Sequence, residues 1–209
     1  MQILSHRGYW TEPGEKNRQP AFARALQFGF GIETDLRDAG SQTVISHDPP
    51  ASDAMLLDDF LALCAQVSRL GPLALNIKAD GLQRRVRDGL ERHGINSAFV
   101  FDMSVPDTLG YLQLGVPVFV RQSEVEPQPV LYERASGIWL DQFHADWVSA
   151  AGIFRHLEQG KPVCLVSPEL HRRDPLPQWE RLAASEVAAH DNFMLCTDFP
   201  VRAREVFNV

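Results

Sequence analysis

The chain has 209 residues, 44% hydrophobic and 22% charged, which is enough for one sizeable core and short for two domains. Its formal net charge of -7 disfavours nucleic acid and anionic membranes as partners, although a local basic site could still hold a phosphate. No run approaches the roughly 20 apolar residues of a membrane span, and Cys64, Cys164 and Cys196 are isolated, lack metal-ligand spacing and read as reduced, buried thiols. No apolar leader stands at the N-terminus, so the expected location is cytoplasmic.

Strand-like and helix-like segments alternate along the chain. Residues 2–5 read as a first strand. A loop rich in Pro, Gly and Glu follows over 10–17, then a helix over 21–26 that Gly29 and Gly31 stop. Residues 31–36 form the second strand, and 42–46 a short extra strand entered by the turn at Asp38-Ala39-Gly40. Pro49-Pro50 breaks the chain. Leu57, Phe60, Leu61 and Cys64 then recur at helical spacing within 57–67.

Further strands are expected at 73–78, 98–101, 117–121, 137–141, 162–167 and 192–196. Helices are expected at 81–92, 107–114, 145–158, 178–189 and 201–207. Residues 123–135, with three acidic residues and two prolines, show only a weak helical pattern. Eight core strands, most of them separated by helices, predict a parallel sheet and most simply a closed (β/α)8 barrel over residues 1–209. A doubly wound open sheet is the alternative, but its Gly-rich first turn is missing: the first strand runs into His6-Arg7-Gly8.

The ends of the predicted strands collect polar side chains: His6 and Arg7, Glu33, Asp35 and Arg37, His47 and Asp48, Asn76 and Lys78, Asp102, Arg121, Asp141, Glu169, and Asp198. In a barrel these meet at one mouth. Glu33 and Asp35 are two apart on a strand and share a face, as do Asn76 and Lys78. Paired carboxylates inside a barrel need a positive partner, and a divalent cation with oxygen ligands, Mg²⁺ or Ca²⁺, meets that need. The alternative partners are Arg7 and Arg37, in structural ion pairs.

Two histidines beside such an ion suit general acid–base work, though either could be a core histidine. Arg7 and Lys78 suit an anion. Arg121 and Asp141 also end strands and are candidate substrate contacts. Trp139 reads equally as core or as a substrate platform. His93, His144, His156, His171 and His190 read as surface residues. The charged segment 169–177 reads as a solvated loop, with a phosphate-attracting lid as the alternative.

In order and spacing the first 48 residues resemble the glycerophosphodiester phosphodiesterase family of the PLC-like phosphodiesterase superfamily. The resemblance rests on His6-Arg7-Gly8, Asn17 in Glu15-Lys16-Asn17, Ala21-Phe22-Ala23-Arg24-Ala25, Glu33-Thr34-Asp35, Ala39-Gly40 where the family has Asp-Gly, and His47-Asp48. Beyond residue 48 it is carried by Lys78 and by Thr197-Asp198-Phe199-Pro200, which looks like the family's closing motif.

The resemblance implies a metal-dependent phosphodiesterase acting on a small glycerophosphodiester-like molecule. His6 and His47 would be the catalytic acid and base, and Glu33 and Asp35 metal ligands. Arg7 and Lys78 would contact the phosphate, and Asn17 would help orient the phosphate or the metal site. It further implies attack by a neighbouring substrate hydroxyl and a cyclic phosphate intermediate. Mg²⁺, Ca²⁺ or Mn²⁺ would be the cofactor. Separately, the aromatic residues near Trp147 and Phe154 leave either a monomer or a homodimer open.

Two departures stand out. Asn76 occupies the position where the family has a third acidic metal ligand, which lowers the expected metal affinity and raises a second possibility, a catalytically weak barrel that binds a phosphorylated ligand. The stretch 49–56 is too short for the small capping insertion common in the family, so a more open site is expected.

Overall fold

Alternation along the strands divides the apolar residues into two sets. In the computed structural model, which describes residues 1–209, Ile3, Ile32, Leu73, Leu75, Val100, Ile138, Leu165 and Phe193 face outward into a large core shared with the helices. Their neighbours Leu4, Ala74, Phe99, Phe101, Phe119, Trp139, Cys164, Met194 and Cys196 form a separate cluster on the other face. A sheet can bury both faces this way only by packing helices outside and closing on itself inside.

In chain order the elements are β1 (Gln2–His6), α1 (Gln19–Gln27), β2 (Gly31–Ala39), β3 (Gln42–Ile45), α2 (Leu57–Cys64), β4 (Leu73–Ile77), α3 (Gln83–Arg92), β5 (Ala98–Phe101) and α4 (Val105–Gln113). Then come β6 (Phe119–Gln122), β7 (Gly137–Leu140), α5 (Ala150–Glu158), β8 (Val163–Val166), α6 (Leu176–Ala183), β9 (Phe193–Thr197) and α7 (Pro200–Phe207). The strands pair in the order β5-β4-β2-β1-β9-β8-β7-β6, all parallel, with β3 added antiparallel to β2.

The two ends of this order meet at a single bridge between Val100 and Val118, where the Val100 N–H donates to the Pro117 carbonyl at 2.9 Å. The molecule is therefore a (β/α)8 barrel rather than a doubly wound open sheet, and it carries no capping insertion between β3 and α2.

Several boundaries differ from the sequence expectation for local reasons. The helix expected from residue 145 starts at Ala150, because the Ser149 hydroxyl accepts from the Gly152 N–H at 3.1 Å and caps it there. The preceding residues are held in a loop by Glu124, which accepts the N–H groups of Phe143, His144 and Ala145 at 3.1, 2.6 and 3.4 Å. Burial opposes ionisation of that carboxyl, but these donors win and hold it down at about 2.

The helix expected over 178–189 is α6 plus a separate 3₁₀ turn at Glu186–Ala189, since Ser185 is extended. Between β6 and β7 there is only a 3₁₀ turn at Tyr132–Arg134, consistent with the missing donors of Pro127 and Pro129. His156 is not a surface residue: its ring sits between the Tyr132 hydroxyl at 2.9 Å and the Gln122 side-chain oxygen at 2.8 Å, and burial pushes its pKa down. The three cysteines are free and buried, and burial raises each thiol, Cys64 to about 12. No helix is long and apolar enough to cross a membrane.

Candidate active site

Strand register assembles the site. His6 of β1 lies opposite Glu33 of β2, and Asp35 of β2 opposite Asn76 of β4. All four continue the inward-facing rows that begin lower down with Leu4 and Ala74, so they emerge together at the C-terminal mouth.

The loop after β1 turns sharply to bring two more residues in. Arg7 and Asn17 both adopt left-handed φ, +59° each, a cost that persists only where surrounding contacts impose it. Those contacts are present. The Arg7 N–H donates to the Glu33 carbonyl at 2.9 Å, and the Asn17 N–H donates to the Arg7 carbonyl at 3.0 Å. Gly8, at φ +85°, lets helix α1 approach, since a Cβ there would stand 2.8 Å from that of Ala21.

Asp35 is the hub of this half of the mouth. It is 1% exposed and accepts from the Asn17 side-chain amide at 2.8 Å, while Thr34 donates to the Asn17 amide oxygen at 2.8 Å. The Arg7 guanidinium lies 3.0 Å from one Asp35 oxygen and the Lys78 ammonium 3.5 Å from the other. Arg37 forms no ion pair with either carboxylate, so the ion-pair alternative raised by the sequence holds for Arg7 alone.

Glu33, equally buried, accepts only the Arg7 N–H, at 3.2 Å, and stands 3.9 Å from His6 Nε2. Burial first, and the neighbouring Asp35 charge second, push its carboxyl up to about 7. The pair thus lacks positive charge on the Glu33 side.

A divalent cation fits this deficit. Asn76 Oδ1 is buried with no hydrogen-bond donor and Asp35 Oδ1 faces only the Lys78 ammonium, so with Glu33 they offer an all-oxygen donor set of the kind hard cations prefer. No group of three or more His, Cys, Asp or Glu side chains lies close enough to hold a metal unaided. The third donor would be the neutral Asn76.

His6 is oriented by a residue at the far end of the chain. Its Nδ1 is 2.6 Å from Asp198 Oδ1, just beyond β9, and Lys16 Nζ is 3.4 Å from the other Asp198 oxygen. Burial raises the Asp198 carboxyl, but the His6 hydrogen bond and charge, with Lys16, hold it below its ordinary range. An ionised Asp198 accepts a hydrogen bond from the Nδ1–H of His6, which leaves Nε2 as the nitrogen facing the mouth. The motif Thr197-Asp198-Phe199-Pro200 was the available signal for Asp198, whereas nothing in the sequence singled out Lys16.

His47 comes from the other side. It follows β3, is 44% exposed, and pairs with Asp48 at 2.9 Å. It makes no direct contact with His6, and it lines, with Arg7, Lys16 and Asn17, a cavity of about 190 Å³.

The opposite rim holds Arg121, which pairs with Asp102 and lies 3.7 Å from Asp141. Trp139 is not a platform open to substrate: it is 4% exposed and stacked on Phe101 at 3.8 Å, because its inward position lies one layer below Asp141. The segment 169–177 is not simply a solvated loop. His171 Nε2 sits 2.7 Å from Asp141, Arg173 donates to the Gln142 carbonyl, and Glu169 accepts from Ser167, Thr197 and the Asp198 N–H. Glu169, His171 and Arg173 turn toward the barrel end while Arg172 and Asp174 stay exposed, a division that sequence spacing cannot give.

No family model and no curated protein matches the chain. Solved structures do. A glycerophosphodiester phosphodiesterase from Agrobacterium tumefaciens str. C58 superposes with a TM-score of 0.74 at 17% identity, covering 100% of both chains. A glycerophosphoryl diester phosphodiesterase from Parabacteroides distasonis gives 0.69 at 12% identity, over 99% of this chain and 86% of that one. A Ca²⁺-dependent phosphatidylinositol-specific phospholipase C from Streptomyces antibioticus gives 0.57 at 13% identity, over 99% and 95%. At these identities the likeness is one of fold.

Proposed function

We propose that the chain is a divalent-cation-dependent phosphoric diester hydrolase acting on small glycerophosphodiester-like molecules. The observation that carries this reading is the convergence, at one barrel mouth, of a buried carboxylate pair, an Asp-oriented histidine and two cations reaching the same carboxylate. The full-length structural likeness to glycerophosphodiester phosphodiesterases agrees with it.

Glu33, Asp35 and Asn76 would hold the cation, which supplies Lewis-acid neutralisation of phosphate charge. Arg7 and Lys78 bind the phosphate oxygens, the first as a planar fork and the second as a point charge. Asn17 holds Asp35 in place. His6 Nε2 takes the proton of a neighbouring substrate hydroxyl as its oxygen bonds to phosphorus, and His47 gives a proton to the departing alcohol oxygen. Ring opening of the cyclic diester reverses the roles: His47 deprotonates water, and His6 returns a proton to the hydroxyl oxygen. Arg121 and Asp141 contact the outer part of the substrate.

The test is hydrolysis of glycerophosphodiesters with Mg²⁺, Mn²⁺ or Ca²⁺, the products read by phosphorus NMR. Full activity in His6→Ala and His47→Ala would refute the assignment of the two histidines.

A second reading rests on one observation: Arg7 and Lys78 already neutralise Asp35. The barrel would then bind a phosphorylated ligand without turnover. Calorimetry separates the two, since no binding of divalent cation at millimolar concentration, with retained phosphate-ester binding, favours the second.

A further inference from the structure

We propose that one alcohol of the phosphodiester carries an apolar alkyl or aryl body, seated in the groove between the loop after β1 and the start of α7. The inference deepens the phosphodiesterase reading and rests on it.

The groove encloses about 570 Å³, against about 190 Å³ for the cavity shared by Arg7 and His47, and falls within the roughly 300–1,000 Å³ typical of ligand pockets. Tyr9, Trp10, Phe199 and Val201 line it. Tyr9 is fixed by edge-on contacts with Phe28 and Phe30, at 5.3 and 5.9 Å between ring centres. Phe199 is 42% exposed, a large apolar surface left in water next to catalytic groups. Isolated exposed apolar residues need no explanation, but one lining a cavity with two other aromatics marks a contact surface.

The groove is continuous with the catalytic mouth through two side chains. Asp198 lines it and at the same time holds His6 Nδ1 at 2.6 Å. Lys16 spans the boundary, its ammonium 4.3 Å from the centre of the Trp10 ring and 3.4 Å from Asp198. One end of the combined site therefore offers Arg7, Lys78 and Lys16 to a phosphate, each also paired with a carboxylate, and the other presents the apolar surfaces of Tyr9, Trp10, Phe199 and Val201, with Arg202 and Glu205 also on its lining. An occupant complementary to both ends is an amphiphile: an anionic diester whose apolar arm lies over Trp10 and Phe199. A fully hydrated alcohol would leave those surfaces unused.

The experiment is calorimetric titration, with Mg²⁺ present, of three diester analogues that carry no neighbouring hydroxyl to attack phosphorus: the methyl, hexyl and phenyl monoesters of methylphosphonic acid. From the transfer free energy of buried methylenes, the hexyl or phenyl ester should bind about tenfold or more tighter than the methyl ester. Phe199→Ser and Val201→Ser should each cut that advantage at least about threefold and leave methyl-ester affinity unchanged.

Equal affinity for the three esters, with diester hydrolysis intact, would overturn the apolar subsite and spare the phosphodiesterase reading. An advantage that survives both substitutions would overturn it as well. If no ester binds and no diester is cleaved, the phosphodiesterase reading fails and the subsite with it. If sedimentation shows a dimer that Phe199→Ser dissociates while the ester preference stays put, the groove is instead a contact between two copies of this chain.

Discussion

His6 Nδ1 lies 2.6 Å from Asp198 Oδ1, joining two residues 192 positions apart through the neighbouring strands β1 and β9. The contact selects the histidine tautomer that leaves Nε2 to the mouth. Asp198→Asn should therefore lower kcat by about 10²- to 10⁴-fold with little change in KM, the range associated with a mispositioned general base. Steady-state kinetics on both proteins decide this, and an unchanged kcat, or a loss carried by KM alone, would exclude the role given to Asp198.

The buried Glu33 carboxyl gives the cation-free protein a defined pH signature. Its pKa of about 7 in the folded chain lies above the ordinary 4.5. A carboxyl raised on folding lowers stability as pH increases: the penalty is absent below about 4.5, grows between the two values and is complete above about 7. Glu33→Gln should remove it and stabilise the cation-free protein at pH 8 by on the order of 1–3 kcal/mol. A divalent cation does the reverse chemistry, expelling the Glu33 proton, so its affinity should rise with pH up to about 7. Calorimetric melting at pH 5 and 8, with and without Mg²⁺, measures both, and a Glu33→Gln protein that melts lower than the parent at pH 8 contradicts the account.

Asn76 contributes a buried neutral oxygen with no donor, opposite Asp35. Asn76→Asp adds a carboxylate at the same inward position without a change of length. Cation affinity should increase about tenfold, consistent with the dependence of such sites on ligand charge, while the cation-free protein should lose stability because a third carboxylate enters the same buried group. Titration with Mg²⁺ and Ca²⁺ provides the check.

Trp139 and Gly8 separate packing from chemistry. Trp139→Ala should cost about 3–5 kcal/mol of stability, the usual range for deleting a buried indole, with KM unaffected in whatever fraction remains folded. Gly8→Ala combines φ +85° with a 2.8 Å clash against Ala21, and should cost about 2–4 kcal/mol or prevent folding. Urea denaturation with activity measured on the same samples tests the pair. A KM increase in Trp139→Ala at unchanged stability would return that residue to the substrate.

Much of the barrel is written in residue periodicity. The eight strand positions follow from apolar runs such as Leu73-Ala74-Leu75 and Val163-Cys164-Leu165, and the pairing of Glu33 with Asp35 on one face follows from a spacing of two. Local sequence carries less about contacts made across the mouth. Asp198 stood among the strand-end residues, but only the closure of β9 onto β1 gives it His6 as a partner. Trp139 and Asp141 share a face and strand direction puts Asp141 nearer the rim, but alternation could not say how far down the opening reaches. His171 read as surface because a 3₁₀ turn at Pro168–His171, rather than a periodic element, aims it inward. The start of α5 depended on Glu124, some twenty residues upstream, taking three backbone donors that a helix would otherwise use.

The single bridge between Val100 and Val118 has a consequence for chain connectivity. Met1 and Val209 line the same small cleft under the starts of β1 and β2, so residues 1 and 209 lie in the middle of the rolled sheet and its seam falls mid-chain. Across that seam the backbone contributes little, and the Phe99–Phe119 stack, at 3.7 Å between ring centres, closes the wall from inside. A circular permutant that joins residue 209 to residue 1 and opens the chain between β5 and β6 would run in sequence from one edge of the sheet to the other. Every strand-to-strand ladder of the barrel would be kept, and the first and last strands of the new chain would meet only through the Phe99–Phe119 rings, the Val100–Pro117 backbone bond and the Arg121–Asp102 ion pair.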